Sequence, residues 1–448
     1  MSFPTETTVL IVGAGPAGMA CALSLRSHGV KDIVVVDAVE QGDHSSRAMV
    51  IHAATLEALD SVGVADEIVK RGIQVPSMEY YDRKSLLLAI DFSSLDFYTR
   101  FPYYVLLPQH ITEEILGAKL KERGIPVHRP YKVVGMNENS KDSKTVDVTF
   151  ENGQSIRARY VVGADGATSA VRNLSGLGFS DPGADPSKPE DVNTLAQMVI
   201  SDVTFSEPPT LPNVLFGVVT QESFFIFSPL QYPLKDSKDT GGKTVYRIAC
   251  GVPLTSGAPP SRPSVEYVQE LIEKYGPHSL SSDPKNPHAV RVSDVVWSTR
   301  FRTRCAVAER FFTYFGGERP DKAGVPVCLI GDAAHIHPPA GGQGMNLGLR
   351  DAITVGPVIA EVLTEGATPQ ANDKLQAHMA LRRERAVKVI GMAKIMAGAV
   401  GMSPNVRDAF AWSPIHIYTI RDWVLWIVGK SRWVRETLAY RFSGLAAP

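Results

Sequence analysis

A short apolar run, Thr7 to Val12, leads into Gly13-Ala14-Gly15-Pro16-Ala17-Gly18, and an Ala/Leu-rich segment follows from Ala17 to His28. No other feature constrains the fold as much. The run is β-branched and continuously apolar, the pattern of a strand buried on both faces, so it implies a parallel sheet. The segment behind it has helix propensity and stops at Gly29, a residue type that commonly ends helices. Ile33 to Val36 supplies a second strand. Inside such a βαβ unit the G-x-G-x-x-G pattern has a mechanical reading. Gly13 makes the tight turn, Gly15 lets a diphosphate approach the backbone, and Gly18, with the small Ala17 before it, allows close helix–strand packing. The helix N-terminus adds free N–H groups and a dipole that favours negative charge. Asp37, nineteen residues after Gly18 at the end of the second strand, is placed to accept hydrogen bonds from a ribose. Strand, helix and acid in register favour a dinucleotide site over a chance Gly-rich turn. The acid argues for FAD or NAD over a 2′-phosphorylated nucleotide.

Composition matters here for what it excludes. The chain has 448 residues, which allows several domains, and its 46 basic and 47 acidic side chains form no long block of one sign. A nucleic-acid partner therefore has no electrostatic support, and a small molecule is expected instead. The four cysteines, Cys21, Cys250, Cys305 and Cys328, form no C-x-x-C pair and no zinc spacing, so metal is not expected and a reducing, cytoplasmic setting fits. The one uncharged stretch near spanning length, Thr7 to Leu25, is broken by Gly13, Gly15, Pro16 and Gly18, so neither a signal peptide nor a transmembrane span is expected.

Two further segments each place one aspartate where a strand stops: Val161-Val162-Gly163-Ala164-Asp165-Gly166, continuing to Arg172, and Leu329-Ile330-Gly331-Asp332-Ala333-Ala334-His335. Together with the first motif, in this order and at these distances, they resemble the GxGxxG, DG and GD motifs of the class A FAD-dependent aromatic hydroxylases, the family of 4-hydroxybenzoate and phenol hydroxylases. The likeness runs from about residue 5 to 385. It implies an α/β fold in which a Rossmann-like FAD-binding domain (1–75, 101–185 and 296–365) carries an inserted β-rich substrate domain (76–100 and 186–295), followed by a C-terminal helical region (366–448). Proline-rich loops from about Lys188 onward, alternating with strand-like runs, agree with the β-rich insertion.

The resemblance also implies roles. Asp332 would bind the ribityl or diphosphate part of FAD, and Asp165 would hold a loop serving both FAD and a visiting nicotinamide nucleotide. Arg47 and Gln109 match positions that contact the ribityl chain and phosphates, and both carry donors suited to oxygen-rich ligands; the alternative for each is an ordinary surface pair or loop cap. Pro338-Pro339-Ala340-Gly341-Gly342-Gln343-Gly344-Met345-Asn346 opens a long helix whose dipole would stabilise an anionic reduced flavin, with Pro339, Gly342, Gly344, Met345 and Asn346 on the cofactor. His337, with Pro338 beside it, is a catalytic candidate as part of a proton relay for a phenolic substrate; the competing reading is a histidine bonded to the backbone. Tyr232 and Tyr246 lie where the family builds its substrate pocket and bring a polar handle, whereas core packing explains the neighbouring Phe224, Phe225 and Phe227.

The function implied is a monooxygenase: NAD(P)H reduces non-covalent FAD, dioxygen adds to it, and the resulting flavin hydroperoxide attacks an electron-rich ring such as a phenol or benzoate. The absence of a cysteine pair removes a disulfide reductase of related fold. A halogenase would need a W-x-W-x-I-P segment, and Trp423-Val424-Leu425-Trp426 has the wrong spacing. A flavin-dependent epoxidase or, despite that spacing, a halogenase of related fold and a non-catalytic flavin-binding protein stay open, as do monomer and homodimer. Ile415 to Tyr440, rich in Trp and Lys/Arg, reads as a helix packed on the flavin domain or as one lying on a membrane or another subunit.

Overall fold

The computed structural model describes residues 3–40, 48–139, 142, 144–183, 197–209, 211, 214–230, 243–284, 286, 288–302, 304–319, 322–366, 368–401 and 417–446. Strands and helices are numbered in chain order. The helices are α1 (Pro16–Ser27), α2 (Ala53–Ser61), α3 (Ala65–Arg71), α4 (Gln109–Glu122), α5 (Ala170–Leu174), α6 (Val265–Tyr275), α7 (Gln343–Thr364), α8 (Pro369–Gly401), α9 (Ile417–Lys430) and α10 (Arg432–Phe442).

An eight-stranded mixed sheet is the chain's first layer. It contains β1 (Glu6–Val12), β2 (Ile33–Val36), β8 (Val127–His128), β9 (Val133–Glu138), β10 (Val146–Phe150), β11 (Ser155–Gly163), β19 (Phe312–Arg319) and β20 (Lys322–Leu329). At its centre β2, β1, β11 and β20 run parallel, with Val12 level with Val36 and Gly163, and Gly163 level with Leu329. The apolar run at the N-terminus thus occupies a strand with neighbours on both sides, which is why it carries no polar alternation. Helix α1 packs against α7, so closely that a Cβ on Gly356 would lie 2.2 Å from Ser24 Oγ, and Ser24 Oγ donates to the Ile353 carbonyl at 2.6 Å.

The second layer is a seven-stranded sheet in the order β17 (Val292–Arg302), β13 (Gln197–Phe205), β16 (Val245–Gly251), β15 (Phe224–Leu230), β14 (Leu215–Val219), β5 (Ser77–Tyr81) and β6 (Leu86–Asp91). β17 crosses the boundary expected at 296 and belongs whole to this sheet, pairing with β13 from Gln197–Arg302 to Phe205–Val292. Two small sheets complete the strands: β3 (Val50–Ile51), β7 (Tyr104–Leu106) and β4 (Ile73–Val75), and β12 (Phe179–Ser180), β18 (Ala306–Ala308) and β21 (His335–Ile336).

The seven-stranded sheet has two different faces. Val199, Val203, Phe216, Val218, Phe225, Phe227, Tyr246 and Ile248 pack under Val268, Leu271 and Ile272 of α6. On the other face, Met78, Leu88, Ile90, Leu215 and Leu230 pack with Met49, Val50, Tyr104 and Leu106. Further along that same face lie Met198, Ile200 and Ala249, with Phe224, Ile226, Trp297 and Phe301 against them. Among these apolar residues sits a fully buried ion pair. Arg247 Nε and Nη2 donate to Asp202 Oδ1 and Oδ2 at 2.6 and 2.7 Å, and the guanidinium lies 5.6 Å from the Trp297 ring. A bidentate pair of this kind stays tolerable because each charge meets the other; one alone would be costly.

Arg247→Met is therefore expected to destabilise the protein by about 3–5 kcal/mol in urea unfolding, because the buried Asp202 loses the bidentate guanidinium that both its oxygens accept from. Asp202→Leu/Arg247→Met should recover most of that loss. Equal destabilisation by the single and the double variant would show that packing around the pair, and not the stranded charge, carries the effect.

Candidate active site

Three loops meet at the carboxyl ends of β1, β11 and β20. The first is the glycine turn. Gly13 has φ +105°, and a Cβ there would lie 2.3 Å from the Ala164 carbonyl oxygen of the second loop. On Gly18 a Cβ would come within 1.8 Å of the Gly13 carbonyl oxygen. Gly15 differs from both: it is the N-cap of α1, makes no side-chain cap, and a Cβ there would meet nothing within 4 Å. Pro16 begins the helix, so the N-terminus is uncapped and opens onto free space. This is the cradle a diphosphate needs.

Asp37 holds that turn in place. Its Oδ2 accepts the Ala14 N–H at 2.6 Å and its Oδ1 the Val39 N–H at 3.0 Å. Arg129 pairs with Oδ1 at 3.0 Å and also donates to the Ala14 and Val39 carbonyls, both at 3.2 Å. The carboxylate read from sequence as a ribose acceptor is thus also the tie between the end of β2 and the glycine turn. Arg129 lies in no motif, and nothing in its surroundings in the chain announces the role.

The second loop follows β11. Asp165 caps the short helix α5, accepting from Ser169 Oγ at 2.5 Å and from the N–H groups of Ala170 and Val171 at 2.7 and 3.2 Å. Burial raises its pKa against the effect of these bonds. Arg172, in the same segment, spans two loops: Nη1 donates to the Ala333 carbonyl and Nη2 to that of Ala167, both at 2.9 Å, while Phe179 stacks 3.8 Å from the guanidinium. This connection between the DG and GD loops is invisible in a local reading of either.

The third loop follows β20. Gly331, at φ +57°, abuts Ala17 and Gly348, which brings α1, the GD turn and α7 together. Asp332 is exposed at the end of the strand. His335 is fully buried, with Nε2 2.6 Å from Asp351 Oδ2, and Arg382 Nε donates to Asp351 Oδ1 at 2.7 Å. Burial opposes the Asp351 charge, but Arg382 and His335 outweigh it and keep the carboxyl below its ordinary range. The triad fastens the GD loop to α7 and α8.

The loop from His337 to Asn346 closes the site. Gly341 and Gly342 take φ +72° and +64°, and Gly342 is the N-cap of α7, again with no side-chain cap. Pro339 begins the 3-10 turn before it. A Cβ on Gly344 would meet nothing within 4 Å, and Met345 is half-buried. Asn346, expected on the cofactor, uses its side chain within the protein. Nδ2 donates to the carbonyls of Val50 and Gly342 at 2.8 and 2.6 Å, and Oδ1 accepts the His52 N–H at 2.8 Å. His52 Nε2 in turn lies 2.8 Å from the Gly341 carbonyl, with burial as the main reason its pKa falls to about 4. His337 is also buried, with Nδ1 2.8 Å from the Pro338 carbonyl. Burial lowers its pKa to about 4, so the ring is neutral; Nδ1 then carries the proton and Nε2 is a buried acceptor with no partner among the described residues.

Other candidates fall elsewhere. Gln109 begins α4 and donates through Nε2 to Glu113 at 2.9 Å. Tyr246 needs correcting as a pocket residue: it points to the α6 face, stacked on Phe227 with centroids 5.0 Å apart, because strand alternation aims it opposite to Arg247 and Ala249. Arg47 and Tyr232 lie outside the described residues. Open backbone at the α1 N-terminus, an exposed acid at the β20 end and the open, uncapped start of α7 together fit FAD laid across the three loops: diphosphate on Gly15, ribityl or ribose near Asp332, flavin by Gly344.

Comparison with known proteins agrees. Residues 6–225 and 318–390, more than half of the chain, match the FAD binding domain family. The chain is 31% identical over 399 residues to the rifampicin monooxygenase of Streptomyces venezuelae, an alignment covering 89% of this chain and 72% of that one. It is 26% identical over 372 residues to the para-nitrophenol 4-monooxygenase of a Pseudomonas species, with 82% and 81% covered. The crystal structure of p-nitrophenol 4-monooxygenase PnpA from Pseudomonas putida superposes with a TM-score of 0.74 at 23% identity and covers 99% of both chains, which shows the fold. The chain belongs to the FAD binding domain family and is an FAD-dependent monooxygenase of the class A aromatic hydroxylase type.

The glycines separate two consequences. Gly15→Ala puts a methyl group into the open cradle, so FAD affinity should fall roughly tenfold or more, a loss of about 1.4 kcal/mol, with little change in apoprotein stability. Gly18→Ala drives a methyl into the Gly13 carbonyl and should lower the apoprotein melting temperature as well. FAD titration and thermal melts of both apoproteins measure this; undiminished FAD affinity in Gly15→Ala would count against the cradle.

Proposed function

We propose that the enzyme takes electrons from NAD(P)H and hydroxylates a small phenolic or similarly electron-rich aromatic compound, the hydroxyl of which is received by His337. The observation that carries this reading is the buried Nε2 of His337, beside the loop that opens α7, an acceptor that meets no donor among the described residues. Buried acceptors normally find a donor, and a phenolic O–H is one of the right kind. The names of the two relatives, one acting on rifampicin and one on para-nitrophenol, support an aromatic substrate.

Magnitudes assign His337 its part. A free phenol has a pKa near 10, about six units above the value of about 4 that burial imposes on this histidine, so full transfer of the proton to Nε2 is strongly uphill. His337 therefore orients the substrate and draws electron density toward the ring through a hydrogen bond, without acting as a strong base. Bound FAD supplies the redox chemistry and activates dioxygen. The protein supplies the rest. The uncapped N-terminus of α7 offers N–H groups and a positive dipole end to negative charge on the flavin side. Asn346 and His52 hold that loop rigid from beneath. Met198, Ile200, Ala249 and their aromatic neighbours offer a dry wall on the sheet face that also packs toward Met49 and Val50. Such a wall excludes water and leaves recognition to a few polar groups.

A panel of phenolic, benzoic and indolic compounds tested for stimulated NAD(P)H oxidation, with product mass checked for one added oxygen, examines the reading. Phenols should stimulate most. His337→Ala, with FAD bound, should keep reduction by NAD(P)H, raise KM for the phenol, and lose no more than about tenfold in hydroxylation, below the hundredfold typical of a true general base. In the unaltered enzyme hydroxylation should fall as pH drops toward about 4, where His337 takes up a proton and ceases to accept one. A hundredfold loss rescued at high pH would mean that His337 is the base.

A further inference from the structure

Helix α9 is turned inside out. Its solvent-facing side carries Ile420, Trp423, Val424, Trp426 and Ile427, with Trp423 58%, Trp426 51% and Ile427 62% exposed. Its inward side carries Arg421 and Asp422. Arg421 donates to the carbonyls of Thr220 and Val219 at 3.0 and 3.4 Å and pairs with Asp422 at 2.8 Å, next to the buried Tyr418 and the packed Leu425. The helix is firmly seated on the protein: a Cβ on Gly429 would lie 2.8 Å from the Leu87 carbonyl of β6. A surface helix ordinarily shows the opposite pattern, so the outward face is built to meet something other than water.

Three features select the occupant. The first is residue type: Trp423 and Trp426 on α9 and Trp433 at the start of α10, 73% exposed, are side chains that favour the boundary between headgroups and hydrocarbon. The second is charge. From residue 423 onward the chain has four basic residues, Lys430, Arg432, Arg435 and Arg441, and one acid, Glu436. Lys430 Nζ lies 4.8 Å from the Trp426 ring centroid, at the edge of the apolar face. The third is self-repulsion: a second copy seated on this face by two-fold symmetry would bring Lys430 toward Lys430 with no acid on the face to answer it. Among the described residues no helix is long and apolar enough to cross a membrane, so the helix would lie along a surface.

From these features we infer that α9 and the start of α10 dock the enzyme on an anionic lipid surface, with the tryptophan face among the headgroups and acyl chains and Lys430 and Arg432 on the lipid phosphates and carboxylates. The mode is peripheral and reversible. It places the catalytic chain at the phase in which an apolar aromatic compound concentrates, and it is independent of which compound that is.

The test uses FAD-loaded protein sedimented with vesicles of phosphatidylcholine alone or of equal parts phosphatidylcholine and phosphatidylserine. Binding to the mixed vesicles, with a blue shift in tryptophan emission and release by salt, is expected. Trp423→Ser/Trp426→Ser/Ile427→Ser should keep FAD and lose binding by roughly tenfold or more. Lys430→Gln/Arg432→Gln should weaken it by roughly fivefold for each cation removed. If the triple variant loses FAD, the cation variant and the salt dependence decide. Failure to bind either vesicle, or equal binding to both, overturns the proposal. So does a dimer in light scattering that the triple variant makes monomeric, since the face would then belong to a second copy.

Discussion

The close approach of backbone to backbone at the ends of β1, β11 and β20 is the constraint on which the site depends. Gly13 must reach the Ala164 carbonyl and Gly18 the Gly13 carbonyl at distances that leave no room for a side chain. Because β1, β11 and β20 are adjacent and parallel, their loops emerge on one edge of the sheet, and the C-terminal ends of such strands are where ligands bind in α/β folds. Tightening the loops by glycine leaves open space beside Gly15 and Gly344. The same contacts that pack the protein therefore leave the N–H groups at the start of α1 uncapped and open. Asp37, Arg129, Arg172 and the His335–Asp351–Arg382 triad are the fastenings around this arrangement.

The seven-stranded sheet takes its meaning from alternation. One face is consumed by α6, and Phe225, Phe227 and Tyr246 are its core. The other runs from the contact with Met49 and Val50, under the loop from His337 to Asn346, to the cluster of Met198, Ile200 and Ala249. A fully buried ion pair on that second face sets Asp202 and Arg247 among apolar neighbours, where only a fixed partner geometry makes either charge acceptable. The C-terminal helices use the edge of this sheet as a seat and reach back to the flavin loop: Gln343 donates to the Phe442 carbonyl at 3.0 Å and Arg350 to that of Gly444 at 3.1 Å.

What was legible in the sequence was local. The βαβ unit, the three motifs and the helix after Gly342 each declare themselves within a few residues, because a turn that needs glycine can be filled by little else. Pairings between separate segments, here 31 to 296 residues apart, carry no such mark. Arg129 on Asp37, Asn346 on Val50 and His52, and Arg382 on Asp351 arise from the way helices return to the sheet. One clue was present: Arg350-Asp351 inside an apolar helix is a charged pair that must be answered by something buried. Tyr246 is expected at the pocket from the family resemblance and its polar handle, while only its register with β13 and β15 decides which face it occupies. The boundary set at 296 failed for a related reason, since β17 runs on without a break from one expected domain into the next.

An FAD-dependent monooxygenase of this family delivers one atom of dioxygen to an aromatic ring. Turnover of a stimulating phenol under isotopically heavy dioxygen in ordinary water tests it directly. The product should carry one heavy oxygen atom and form in step with NAD(P)H consumed. A product that draws its new oxygen from water, or NAD(P)H oxidation that yields only hydrogen peroxide with every ring offered, would contradict it.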